Sequence, residues 1–364
     1  MTTTIEPTED ATTVDEAKVE EFVGKVLTDT SGLTTTVLSS IGDRLGLWKD
    51  LAASGPTTSA ELAARTGTNE RYVREWLGGM AAGGYVEYDR GADRFTLPPE
   101  HVPVLAQEGG PVFFGGMHQM IRGMVTVYDQ LLEVFRAGGG VPQSAYHDDM
   151  WDGMERFTAG WFNNHLVQDW IPALPDVETA LERGGDVADI GCGRGRGLIK
   201  LAEAYPKSRY VGYDVFEPTI EAARSAAEVA GVSDRVRFEH LDASEGIPGT
   251  YDVVFTFDVV HDAVDPRGLL RSIRDALNPG GSYVCLDINC SDNLEENFGP
   301  LGAAFHGCSV LYCMTTSLAN GGEGLGTVGL HPPKLEELAT EAGFSSVQIA
   351  PLENPFNNLY ELKP

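Results

Sequence analysis

Apolar positions along the chain fall into three zones of different period. In residues 15–100, Leu33, Val37, Leu38, Ile41, Leu45 and Leu47 keep a helix-like apolar spacing, which predicts a helix. Gly55-Pro56 breaks the chain, and the spacing of Thr58 and Glu61 matches a capping box that opens the next helix. A further helix is expected from Glu70 to Leu77, and then two short strand patterns, 85–88 and 94–97, flank a turn that contains Gly91. Residues 101–183 read as helices interrupted by Gly and Pro. Within them Gly138-Gly139-Gly140-Val141-Pro142 is a hinge-like breaker ahead of Trp151, Phe157, Trp161 and Phe162, which predicts either helices packed on the next domain or a lid over it. Residues 184–364 alternate short buried strands with helices, the pattern of an α/β domain with a mostly parallel sheet covered on both faces. Its last strands are expected near 347–349 and 358–360, as an antiparallel hairpin.

The order helix, helix, hairpin in residues 15–100 is that of a winged helix, a relative of the helix-turn-helix. Charge decides what such a module can bind. Residues 57–100 carry five Arg against seven acids, and the expected recognition helix balances Arg71 and Arg74 with Glu70 and Glu75. The whole chain has a formal charge of −28, which repels phosphate backbones and anionic lipid. A dimerisation or substrate-wall role is therefore expected, with no nucleic acid as partner. No apolar run has the length of a membrane span, and the polar first 14 residues lack the features of a secretory signal and are expected to be disordered. Five cysteines without such a signal fit reduced, cytoplasmic thiols.

The chemistry is expected at Asp189-Ile190-Gly191-Cys192-Gly193-Arg194-Gly195, between a short strand and a helix starting near Leu198. Glycines there let backbone approach a ligand at the C-terminal end of a parallel sheet. A phosphate-binding P-loop would end in Gly-Lys-Ser/Thr, which Gly195-Arg196-Gly197 does not supply. A dinucleotide turn counted from Gly191 and Gly193 would need glycine at 196, where Arg stands, and Asp189 would oppose a pyrophosphate. A cationic ligand such as S-adenosylmethionine, with its sulfonium and ammonium, is attracted by the same carboxylate. The next strands end at Asp214, Asp242 and Asp258, so four successive strand ends carry an acid at the rim where ligands bind. For any one of them a helix N-cap is the plain structural alternative.

With these residues in place, residues 184–364 resemble the class I S-adenosylmethionine-dependent methyltransferases, and Leu277-Asn278-Pro279-Gly280-Gly281 before a strand is a second landmark of that family. The whole chain resembles bacterial, mycobacterial-type members with an N-terminal winged-helix domain, through Asn69–Leu77 and Cys313-Met314-Thr315. The resemblance implies a Rossmann-like seven-stranded sheet behind a mainly α winged-helix domain. It implies that Asp189, Gly191, Gly193 and Gly195 cradle the methionine moiety, that Asp214 with Val215 holds the ribose, and that Asp242 with Ala243 holds the adenine. Phe257 and Asp258 should line the cofactor from the fourth strand.

Val259-Val260-His261-Asp262 resembles the His-Asp pair of plant- and polyketide-type O-methyltransferases, in which the His is the base; Ala263 replaces their usual Trp. An imidazole of ordinary pKa, ~6.5, would suit deprotonation of a phenol or thiol. The expected activity is methylation of a small molecule at oxygen, nitrogen or sulfur. The alternatives are a ligand-sensing regulator and an NAD(P) oxidoreductase. Residues 289–331 are expected as a substrate-side insertion, with the glycine-rich 320–326 as a flexible loop that closes over substrate. His306, Cys308 and Cys313 lack zinc-finger spacing, so no metal is expected. A homodimer through the N-terminal helices follows from the same resemblance.

Overall fold

The computed structural model describes residues 14–364, so the tail expected over 1–14 lies, except for Val14, outside the described residues. The chain divides into two compact units, one ending at Gln107 and the other starting at Glu108. The boundary lies beyond residue 100 because a short helix there inserts Leu105 into the core of the first unit.

The first unit comprises α1 (Glu16–Arg44), α2 (Leu47–Ser54), α3 (Ser59–Thr66), α4 (Glu70–Ala82), the hairpin β1 (Glu87–Asp89) and β2 (Arg94–Thr96), and α5 (Val102–Leu105). The capping box at Thr58 and Glu61 is formed in both directions. Leu62, Trp76, Leu77 and Met80 fill the core with Trp48. Helix α1 forms as its spacing predicts up to Arg44, with Leu47 opening α2, but of its apolar stripe Leu38 packs against this core while most of the rest does not. Small residues, Thr35, Ser39, Ser40 and Gly42, are the buried ones, because Trp76 lies directly against Gly42 and donates its indole N–H to the Leu38 carbonyl at 2.7 Å. Leu33, Val37, Ile41 and Leu45 are left exposed.

The second unit opens with α6 (Gly115–Val125), α7 (Tyr128–Ala137), α8 (Asp149–Trp161), a π-helical continuation over Phe162–Trp170, and α9 (Pro175–Arg183). The sheet strands are β3 (Asp186–Ile190), β4 (Arg209–Asp214), β5 (Val236–His240), β6 (Tyr251–Phe257), β7 (Leu277–Ile288), β8 (Ser346–Ile349) and β9 (Asn357–Lys363). Between them run α10 (Arg196–Ala204), α11 (Glu217–Ala230), α12 (Pro266–Asp275), α13 (Pro300–Cys308), α14 (Met314–Ala319) and α15 (Pro332–Ala342). The order is β5-β4-β3-β6-β7-β9-β8, with parallel pairs up to β7 and antiparallel pairs at β9 and β8.

Alternation along each strand separates two cores. Val187, Val253, Phe255 and Val284 pack with α9, α10 and α11, whereas Ala188, Val254, Tyr283 and Cys285 pack with α12 and α15. Strand order reverses between β3 and β6, so the loops after these two strands diverge and leave a crevice at their C-terminal ends. Helices α6–α8 share a separate cluster with Tyr312 and Cys313 of the 289–331 insertion. The triple glycine is therefore more than a hinge. A Cβ at Gly140 would strike the Thr315 carbonyl, and the Val141 N–H donates to Thr315 Oγ1 at 2.9 Å.

Candidate active site

The turn after β3 uses its glycines for different purposes. Gly191, Gly193 and Gly195 all have left-handed backbone, with φ of 70°, 53° and 77°. A Cβ on Gly191 would press into Val259, and one on Gly195 into the Phe238 ring, so both are demanded by packing. A Cβ on Gly193 would meet nothing within 4 Å. Gly193 is thus the glycine whose bare face is turned to open space. The Asp214 carboxylate closes the turn from the next strand, with Oδ2 accepting from Gly193 N and Oδ1 from Phe216 N, both at 2.9 Å.

Asp189 is 2% exposed, and its Oδ1 has no hydrogen-bond partner. Burial, and then the nearby Asp214 charge, push its carboxyl well above the usual range. Asp214 is also raised by burial, against the two backbone N–H groups that favour its anion. Two enclosed carboxyl groups side by side favour a sulfonium and an ammonium next to them and oppose a phosphate.

The other expected cofactor residues divide. Asp242 takes the plain structural role, capping a short turn through Oδ1 with Ser244 N at 2.9 Å and Ser244 Oγ at 2.6 Å, and Ala243 is buried behind it. Val215 is exposed beside them, and its carbonyl contacts His240 Nε2 at 2.9 Å. Phe257 packs its ring between Phe162 and Phe255, at 5.1 and 5.5 Å, so its side chain belongs to the core beneath α10. Asp258 marks the end of β6 with φ of 54°, an uncommon backbone for a residue with a Cβ. Asn357 Nδ2 donates to its Oδ1 at 2.6 Å, and burial with the neighbouring Asp287 raises its carboxyl.

His261 is 3% exposed, and its Nδ1 lies 2.7 Å from Asp287 Oδ1 at the end of β7. Burial lowers its pKa, but the Asp287 carboxylate and Cys313 outweigh burial and hold it well above the ordinary value. The expectation of an unperturbed imidazole is thus corrected: the buried ion partner changes it. Asp262 is raised to about 6, chiefly by burial. Asp287 was not anticipated, although the rule that found Asp214, Asp242 and Asp258 points to it as the acid ending the next strand, β7. Asn357 carries no such signal, because its role depends on β9 pairing beside β7.

The walls come from the helices. Arg194 in the glycine turn bonds Asp152 and Glu155, and Arg196 bonds Glu155, each at 2.7 Å, so α8 is tied to the turn itself. Trp151 lies 5.1 Å from Phe216 and 5.8 Å from Tyr312. The π-helical Ser309–Cys313 brings Cys313 beside His261. The loop expected to be flexible is pinned: Glu323 N donates to Val264 O at 3.2 Å and Gly326 N to His261 O at 2.9 Å. All five cysteines are free thiols.

A family model described as an Rv2258c-like winged HTH domain matches residues 33–107, and one described as a methyltransferase domain matches residues 188–283. O-demethylpuromycin-O-methyltransferase of Streptomyces alboniger is 26% identical over 294 residues, covering 76% of this chain and 75% of that protein. An O-methyltransferase family protein from Burkholderia thailandensis superposes with a TM-score of 0.69 at 18% identity, over 94% of this chain and 98% of that one. Human N-acetylserotonin methyltransferase in complex with S-adenosylmethionine superposes with a TM-score of 0.69 at 17% identity, over 97% and 99%. These likenesses establish the class I methyltransferase fold behind a winged-helix-like domain.

Proposed function

We propose that this chain, a methyltransferase of class I fold that uses S-adenosylmethionine, methylates an oxygen of a small molecule with His261 as the base. The observation that carries the reading is the turn Gly191–Gly195, set between the buried carboxyl groups of Asp189 and Asp214, with the bare face of Gly193 turned to open space. Oxygen is favoured over nitrogen and sulfur because curated relatives that match about three quarters of the chain, the puromycin enzyme and a mitomycin biosynthesis 6-O-methyltransferase of Streptomyces lavendulae, are O-methyltransferases.

Bound S-adenosylmethionine supplies an electrophilic methyl on a sulfonium leaving group. The chain then has to hold the acceptor in line and remove one proton. Asp287 accepts the Nδ1 proton of His261, which fixes the tautomer and leaves the Nε2 lone pair for the acceptor hydroxyl. The Asp214 carboxylate holds Gly193 in place and retains lone pairs for ribose hydroxyls. Trp151 and Tyr312 supply the apolar wall that keeps water from the reacting atoms.

Calorimetry with S-adenosylhomocysteine tests the reading. The wild-type chain should bind it and ignore NADH, and Asp214→Ala should weaken binding at least about tenfold, the loss of one charge-assisted bond of about 1.5–3 kcal/mol. Full affinity in Asp214→Ala would remove the ribose assignment.

The winged-helix-like module presents no free cationic pair at the start of α4, since Arg71 pairs with Glu75 and Arg74 with Glu70 at 2.5 and 2.7 Å. A protein-contact role suits it better than DNA. Phe22, Val23, Val26 and Leu27 on α1 are all at least 46% exposed, an apolar stripe that a second copy would cover. Light scattering should give a dimer, and Phe22→Glu with Leu27→Glu a monomer; a wild-type monomer would end the expectation. No helix among the described residues is long and apolar enough to cross a membrane.

A further inference from the structure

The His261 neighbourhood contains more ligand chemistry than proton removal needs. One ligand atom each from His261, Asp262 and Cys313 lie within 4.8 Å of one another. The three come from two loops far apart in sequence, one following β6 and one in the insertion. For this reason the spacing of His306, Cys308 and Cys313 gave no sign of them. His306 is not among the grouped donors.

We propose that His261 Nε2, a carboxylate oxygen of Asp262 and the Cys313 thiolate form an open site for a thiophilic divalent cation of the Zn²⁺ type. Three features of the geometry point there. The first is the donor set. Thiolate, imidazole and carboxylate together select zinc-like ions over Mg²⁺ and Ca²⁺, which prefer all-oxygen shells. Tetrahedral zinc, with bonds of about 2.0–2.3 Å, needs donors roughly 3.4–3.8 Å apart, which is inside the observed limit.

The second is the outer partner. Asp287 Oδ1 holds His261 Nδ1 at 2.7 Å, so the nitrogen left for an ion is Nε2 and the ring cannot rotate away. Carboxylate behind a metal-binding imidazole is the arrangement that fixes tautomer and raises ligand basicity. A second trio, Asp258, His261 and Asp287, is also close together, but there Asp287 Oδ1 already bonds His261 Nδ1 and Ile288 N and Asp258 Oδ1 accepts from Asn357, which leaves Asp287 Oδ2 as the unpartnered oxygen.

The third is delivery of the sulfur. Cys313 closes a π-helical segment, an irregularity often found where a helix must present a side chain to a site. The loop beneath is fixed by the bond from Gly326 N to the His261 carbonyl at 2.9 Å.

Three protein donors leave one tetrahedral position open, as in catalytic zinc sites. This use of the site rests on the methyl-transfer reading: with the ion bound, His261 Nε2 is a ligand and no longer the base, and the open position would take the acceptor oxygen and lower the pKa of its hydroxyl so that the proton leaves to solvent. The acceptor class is then a phenol, enol or alcohol able to reach the ion as an oxyanion.

Cobalt titration of reduced, chelator-treated protein reads the site without any turnover. One Co²⁺ per chain should bind and give a near-ultraviolet thiolate-to-cobalt band. Cys313→Ser should abolish the band, whereas Cys308→Ser, which changes a neighbouring thiol outside the trio, should keep it. Asp262→Asn and Asp287→Asn should weaken Co²⁺ binding by about tenfold to a hundredfold. Thermal unfolding of each variant verifies that it is folded. No band in the wild type, or a band that survives in folded Cys313→Ser, overturns the site. S-adenosylhomocysteine calorimetry on the same metal-free protein keeps the two readings apart. A cobalt band without cofactor binding refutes methyl transfer and supports the metal site, and the reverse result refutes the metal site alone.

Discussion

His261→Ala should lower turnover by about two to four orders of magnitude, the usual worth of a positioned general base, while S-adenosylhomocysteine affinity stays within a few-fold of wild type. The split follows from placement. His261 sits on the loop after β6 with its ring against Asp287 and Cys313, whereas the proposed reading gives the cofactor end to the glycine turn and Asp214. The pH profile makes the prediction sharper. Only neutral imidazole accepts a proton, and Asp287 holds the His261 pKa above its ordinary value against the opposing effect of burial. Turnover of chelator-treated enzyme should therefore rise with pH through a midpoint above ~6.5. Asp287→Asn removes the larger of the two effects that oppose burial, leaving Cys313, so the midpoint should move down while turnover also falls, because an amide no longer enforces the Nδ1–H tautomer. A pH-independent rate in wild type, or loss of only a few-fold in His261→Ala, would remove the base.

What was legible in the sequence were features whose cause is local. Gly191, Gly193 and Gly195 announce a backbone that only glycine adopts cheaply, and acids at or just past the strand ends, 214, 242 and 258, follow short apolar runs that need no partner to be read. What each of these residues packs against was not legible, because that depends on neighbours from elsewhere. Gly195 and Gly191 face Phe238 and Val259, Phe257 turns into the core beneath α10, and Asp242 spends Oδ1 on Ser244. The His261–Asp287 pair joins the ends of two neighbouring parallel strands, and Cys313 enters from a helical insertion whose fold the apolar pattern does not encode. The stripe on α1 shows the converse: its period was read correctly, yet the face that is buried is the small, polar one, because the Trp76 indole needs close backbone approach.

The glycines of the turn give the second large effect, and they separate folding from binding within five residues. Gly195→Val combines a left-handed φ of 77° with collision into the Phe238 ring. The backbone penalty is about 1–2 kcal/mol and overpacking adds about 1–3 kcal/mol, so the melting temperature should fall by roughly 4–20 °C. Cofactor affinity should fall with it, since the turn must move. Gly193→Ala has the backbone penalty alone, at φ of 53° and with nothing within 4 Å of the new methyl. Its melting temperature should drop by only a few degrees, about 2–8 °C. Yet its affinity for S-adenosylhomocysteine should fall at least about tenfold, because the methyl projects into the space the cofactor needs, where overpacking costs about 1–3 kcal/mol. Thermal melts and calorimetry on the two variants, side by side, test this directly. If Gly193→Ala bound the cofactor as wild type does, the open face of the turn would not be the cofactor seat. If Gly195→Val melted like wild type, the contact with Phe238 would not be what demands glycine there.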